Sequence, residues 1–142
     1  MVLNRSLGYG VYTRQLAAPP TGYDSNIVLG LFTYESDSRE VDIEFSRWGG
    51  AFPNATADFA VQPRAVRRFE AGGGAPFTAS YAWGAGGINF TCGAAAWQYT
   101  GPDTPPPGGE RVHMNLWLVR GLAPVTGEGA EVVVTGFTFS PL

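Results

Sequence analysis

The chain has 142 residues, 44% of them hydrophobic and 15% charged, with a formal net charge of −3. That length suits one domain with a real core, and that composition excludes a disordered chain. The nine basic residues are scattered, so nothing forms the basic stripe that nucleic acid or an anionic membrane surface requires.

Cys92 is the single cysteine, which excludes an intrachain disulfide and a cysteine-built metal site. His113 is the single histidine, which excludes a multi-histidine metal site and a long proton relay. No segment approaches the ~20 apolar residues of a membrane helix. The opening "MVLNRSLGYG" lacks the apolar region of a signal peptide. No cofactor is implied.

Twenty glycines and eleven prolines stand between short runs rich in Val, Phe, Tyr, Trp and Thr, a pattern that predicts an all-β domain with tight turns. In chain order the predicted strands are "YGVYTRQL" (9–16), "NIVLGLFTY" (26–34), "EVDIEFSRW" (40–48), "ADFAVQP" (57–63) and "FTASYAW" (77–83). They continue with "GINFTC" (87–92), "AAWQYT" (95–100), "VHMNLWLV" (112–119) and "EVVVTGFTFS" (131–140). No helix-length window shows a 3.6-residue apolar period. About nine strands so frequently broken read as a sandwich or barrel of antiparallel sheets. "GPDTPPPGGE" (101–110) reads as a stiff inter-strand loop, because only about 30 residues follow it. The three N-x-[ST] sequons, at Asn4, Asn54 and Asn89, are of a number expected by chance in a chain this rich in Thr and Ser.

Two strands carry chemistry. In "SREVDIEF" the carboxylates Glu40, Asp42 and Glu44 alternate with Val41, Ile43 and Phe45, so the acids share one face and the apolar groups the other. In "VHMNLWLV" the apolar face is Val112, Met114, Leu116 and Leu118, and the opposite face is His113, Asn115 and Trp117. An aromatic beside hydrogen-bonding groups suits a sugar ring, whose C–H faces stack while its hydroxyls need partners. A solvent-facing strand that carries one tryptophan is the plainer reading.

The acidic trio admits three readings. It is a solvated or edge-strand face, a Ca²⁺ site, or the paired carboxylates of glycoside hydrolysis. Like charges two apart on a face lie only ~6.6 Å apart, and a regular strand wraps an ion poorly. Glu40 and Glu44 have Cα atoms ~13 Å apart on an ideal strand. Side chains leaning inward bring their carboxylates to ~5–7 Å, a span that covers the retaining separation of about 5–5.5 Å and touches the lower end of the inverting range. Asp42 between them can share a proton and split their pKa values.

"EVDIEF" (40–45) resembles the E-x-D-x-E motif of glycoside hydrolase family 16, the family of laminarinases, lichenases, agarases, carrageenases and xyloglucan-active enzymes. "LGYGVYTRQLAAP" and "NIVLGLFTY" are similar to the strands that precede that motif, and "FAVQP" to the short strand after it. "SYAWGAGGINF", "MNLWL" and "EVVVTGFTF" follow in the family's order, so the likeness covers most of the chain. It implies a jelly roll (concanavalin A-like) of two curved antiparallel sheets with a sugar cleft on the concave face, and a retaining double displacement on a β-linked polysaccharide. Residue types and spacing leave the two glutamates unordered. The resemblance makes Glu40 the nucleophile, Glu44 the acid/base and Asp42 their modulator, with Trp117, Asn115, Trp48, Gln62 and Trp83 as cleft candidates. The family's structural Ca²⁺ is not carried over, since Thr135 and Gly136 occupy its neighbourhood here.

Family members are longer, and this chain opens at a strand that several others normally precede. The expectation is one family-16-like domain over residues 1–142 lacking the N-terminal strands, from a protein working outside the cell or in the periplasm. The alternative is a non-catalytic carbohydrate-binding domain derived from such an enzyme.

Overall fold

Alternating apolar side chains lay the chain out as ten strands in a computed structural model that describes residues 1–142. They are β1 (Gly10–Leu16), β2 (Ile27–Ser36), β3 (Arg39–Phe45), β4 (Ala57–Val61) and β5 (Ala65–Phe69). The rest are β6 (Phe77–Gly84), β7 (Gly87–Cys92), β8 (Ala95–Tyr99), β9 (Arg111–Leu118) and β10 (Val134–Pro141). Two short 3-10 turns, Trp48–Gly50 and Val119–Gly121, are the only helical pieces. No helix is long and apolar enough to cross a membrane.

The strands form two antiparallel five-stranded sheets, in the orders β5-β4-β3-β2-β9 and β10-β1-β6-β7-β8. The all-β sandwich expected from the breaker pattern is thus the observed architecture. Three details differ. A tenth strand, β5, escapes the strand pattern because "RAVRRF" carries three arginines and resembles a solvated loop. The acidic strand stops at Phe45, so Trp48 lies in the following turn. The last strand begins at Val134, three residues later than expected.

Between the sheets, Val41, Ile43 and Phe45 of β3 are buried together with Phe59, Phe77, Tyr81 and Phe90. Phe45 meets Phe77 edge-on at 5.9 Å, and Phe59 stacks on Phe90 at 5.0 Å. Each such ring contributes about 1.5–3 kcal/mol by leaving water. The 101–110 segment is an ordered connection of β8 to β9. Its Pro105 carbonyl accepts from Trp83 Nε1 at 2.9 Å, and its Pro106 carbonyl from Arg39 Nη2 at 2.7 Å.

The position of β3 governs how the three acids are presented. It is the middle strand of its sheet, hydrogen-bonded to β2 on one side and β4 on the other. The edge-strand reading of the three acids therefore does not hold. With both neighbours paired and one face buried, a register slip would exchange the two sets of side chains, so the register is strongly specified.

Candidate active site

Cross-strand pairing assembles the outer face of the first sheet as rows. Glu44 stands opposite Gly30 of β2 and opposite Asp58 of β4. Gly30 in turn faces Asn115 of β9, and Asp58 faces Arg68 of β5. The row through all five strands is therefore Arg68, Asp58, Glu44, Gly30, Asn115. In the next row Asp42 lies between Ala60 and Phe32, and Phe32 stacks on His113 at 4.9 Å. Glu40 pairs with Tyr34.

Burial and mutual repulsion set the protonation of this face. Asp42 is only 1% exposed, and its carboxyl is held well above the ordinary carboxylate range by burial, then by the charges of Glu40 and Glu44. Its Oδ2 accepts from Gln62 Nε2 at 3.4 Å, while Oδ1 as a carboxylate oxygen has no partner. The hydrogen bond between the Asp42 and Glu40 carboxyls keeps the proton on Asp42 and lowers Glu40. Glu44 is pushed up to about 8 by burial, then by Asp58 and Glu40. Glu40 is raised by its partial burial, but the hydrogen bond from Asp42 works the other way. Of the three, Glu40 is the one that hydrogen bonding favours as an anion.

The aromatic candidates separate into two groups. Trp117 of β9 is 37% exposed on the outer face, and its ring meets that of Trp48 edge-on at 5.9 Å. Trp48 reaches this position from a turn in which its own φ is +50°, a left-handed backbone that costs a non-glycine residue on the order of 1 kcal/mol. Its backbone N–H is taken up by Ser46 Oγ at 2.9 Å and its indole N–H by Asp58 Oδ2 at 3.0 Å. Asn115 is exposed beside them, and Gln62 lies half-buried beside Asp42. Trp83 is a correction. It is 1% exposed, sits on β6 of the other sheet among Tyr9 and Tyr12, and belongs to the core.

Glu44, Trp48, Asp58, Gln62, Arg68 and Trp117 line a cleft of about 520 Å³, whereas Glu40, Asp42 and Asn115 are not part of its lining. Asp58 is the group that the sequence pattern does not signal. It is 3% exposed, yet its neighbours in "ADFAVQP" are apolar, and only the pairing of β4 with β3 brings it to Glu44. No three of the His, Cys, Asp and Glu side chains are grouped so as to hold a metal ion.

Two antiparallel sheets with this strand order superpose on solved structures. Residues of this chain covering 94% of its length match 65% of Bacillus licheniformis β-glucanase, with a TM-score of 0.61 and 20% identity. The fold is the jelly roll of the β-glucanases. A prokaryotic β-1,3-1,4-glucanase (lichenase) derived from a mouse hindgut metagenome matches over 98% of this chain and 69% of its own, with a TM-score of 0.68 and 18% identity. A native glycosidic hydrolase matches over 82% and 55%, with a TM-score of 0.58 and 24% identity. The chain therefore spans about two thirds of the length of the Bacillus enzyme. No model of a known family matches the sequence, and comparison with curated proteins gives no match.

Proposed function

We propose that this domain is a retaining glycoside hydrolase of family-16 type acting on a β-linked polysaccharide. The observation that carries the reading is the protonation split along β3. Burial raises both glutamates, Glu44 to about 8, and at Glu40 the hydrogen bond from Asp42 opposes that rise. Two carboxyl groups whose environments separate them in this way are suited to acid and nucleophile. The fold shared with glycosidases and the Trp48–Trp117 pair beside Glu44 support the same reading.

In the first step the Glu40 carboxylate attacks the anomeric carbon while the glycosidic C–O bond breaks. Glu44 gives its proton to the departing oxygen. The sugar is then held as an ester of Glu40, and Glu44, now a carboxylate, takes a proton from water. The water oxygen attacks the anomeric carbon, the ester bond breaks, and Glu40 leaves as a carboxylate with the anomeric configuration retained. Asp42, protonated and donating to Glu40, releases charge repulsion between the two outer acids. Trp117, Trp48, Asn115 and Gln62 would receive the sugar rings.

The test is hydrolysis of mixed-linkage glucan, laminarin, agarose and xyloglucan by the purified chain and by Glu40→Gln. Expected is turnover of at least one polymer, reduced by about 10³-fold or more in the variant, which lacks the nucleophile. Undiminished hydrolysis by Glu40→Gln sinks the mechanism. The alternative, a carbohydrate-binding domain without turnover, is favoured instead if both proteins bind the same polymer and neither releases reducing ends.

A further inference from the structure

Asp58 is the fourth acid of this face and the one that the proposed mechanism leaves unused, placed directly opposite Glu44 on β4. Side chains so paired have Cβ atoms about 4.5–5.5 Å apart, and like charges there are destabilising. A sheet needing only a polar group at this position would be served by Asn or Thr at lower cost. Instead a carboxylate is buried there, only 3% exposed, with Oδ2 bound to Trp48 Nε1 and Oδ1 without any partner. Arg68 on its other side makes no ion pair with it. The Arg68 guanidinium lies 3.8 Å from the centre of the Phe52 ring.

We propose that Asp58 is a positioning residue serving both halves of the site, setting the working protonation of Glu44 and fixing the Trp48 indole across the cleft. This rests on the reading of Glu44 as the acid/base. The groups facing Asp58 are few. From β3 come Glu44 and Asp42, with Glu40 beyond; from β5 comes Arg68. Arg120 lines the same cleft from the turn after β9, and Trp48, Gln62 and Trp117 are neutral. His113 lies two strands beyond Asp42, against Phe32.

Two facing carboxyl groups cannot both ionise cheaply, so the better supported anion forms first. Asp58 has that support, because the Trp48 N–H and the Arg68 charge offset part of its burial and leave it at about 6. Burial is the first reason for Glu44 to hold a proton to about 8, and the Asp58 charge is the next. The same oxygen that carries the charge anchors Trp48, so sugar platform and proton donor share one support.

Asp58→Asn tests this, since its amide oxygen can still accept from Trp48 while the charge is gone. In the kcat/KM profile of the polymer that the wild type hydrolyses, the alkaline limb is expected to move down by about one pH unit. KM should stay within about twofold. Asp58→Ala should move the limb equally and raise KM several-fold, because Trp48 is released. A residue with only a structural role would lower activity at every pH and leave the limb in place. An Asp58→Asn profile superposing on the wild type therefore overturns the proposal.

Glu44→Gln separates the two levels. If it retains full turnover, the acid/base reading fails; if it is inactive while the Asp58→Asn limb is unmoved, only the role of Asp58 fails. A readout free of turnover and of variant folding is the carbon-13 titration of Glu44 in the wild type. Expected are a minor step near 6, as Asp58 ionises, and the main step near 8. A single step speaks against the coupling.

Discussion

Gly30 leaves open the space that the Asn115 side chain occupies. A Cβ built on Gly30 would lie 2.6 Å from Asn115 Oδ1 and 3.0 Å from the Phe32 ring. Gly30 needs no unusual backbone angle; its role is absence of bulk in the row between Glu44 and Asn115. Gly30→Ala is expected to displace Asn115 and the Phe32 ring. Overpacking of this kind costs about 1–3 kcal/mol, and kcat/KM should fall at least about tenfold. Parallel measurement of the melting temperature and of kcat/KM checks it, and an unchanged kcat/KM would show that Asn115 does not serve the substrate.

Stability should fall as pH rises. Glu44 and Asp58 have folded pKa values of about 8 and about 6, above their ordinary 4.5 and 3.8. Between those values the folded chain binds more protons than the unfolded one. The resulting stabilisation is complete below about pH 4 for these groups, is lost through pH 6 for Asp58 and is lost through pH 8 for Glu44. Denaturant midpoints at pH 5 and 8.5 should therefore differ in favour of pH 5. Glu44→Gln should narrow the gap by gaining stability at pH 8.5, and an equal gap in the variant would refute the assignment.

The tryptophans should separate by readout. Trp117→Ala is expected to raise KM about tenfold and leave kcat within about twofold, as loss of uniform binding does. Trp83→Phe should behave oppositely. Its indole is enclosed and bonded to the Pro105 carbonyl, so stability should drop by about 2 kcal/mol with KM unmoved. An altered KM in Trp83→Phe would return that residue to the cleft.

Arg14 offers a test of the core. It is fully buried, donates to Tyr81 Oη at 3.1 Å, and lies 4.7 Å from the centre of the Tyr81 ring, but its Nε and Nη1 have no partner. No carboxylate pairs with it. Taking a single ion out of water costs several kcal/mol, a penalty that an apolar chain of similar reach does not carry. Arg14→Met is expected to raise the midpoint of urea unfolding. A lowered midpoint would mean that the Tyr12, Tyr81 and Phe137 rings around the guanidinium more than offset its desolvation.

Local alternation makes β3 readable, because three acids and three apolar groups at period two admit one division into faces, and Val41, Ile43 and Phe45 are indeed in the core. The features that stay hidden depend on pairing between distant segments. Asp58 reaches Glu44 through the β3–β4 register, and nothing within "ADFAVQP" signals it. Trp83 shares its strand face with Phe77, Ala79 and Tyr81, whereas Trp117 shares its face with His113 and Asn115, so alternation within β6 already points Trp83 to the core. The strand pattern runs on to Trp48 in the sequence, whereas its left-handed φ turns the chain and aims the indole into the cleft.

The four tryptophans also divide the protein's optical behaviour. Trp48 and Trp117 meet over the cleft, while Trp83 is enclosed between the sheets and Trp97 stacks on Phe90 at 5.4 Å. A sugar entering the cleft would quench or blue-shift emission from the first two and leave the other two unchanged. Unfolding would shift all four together. The chain thus carries a built-in fluorescent reporter in which occupancy and integrity of the fold appear as separate signals, without any label.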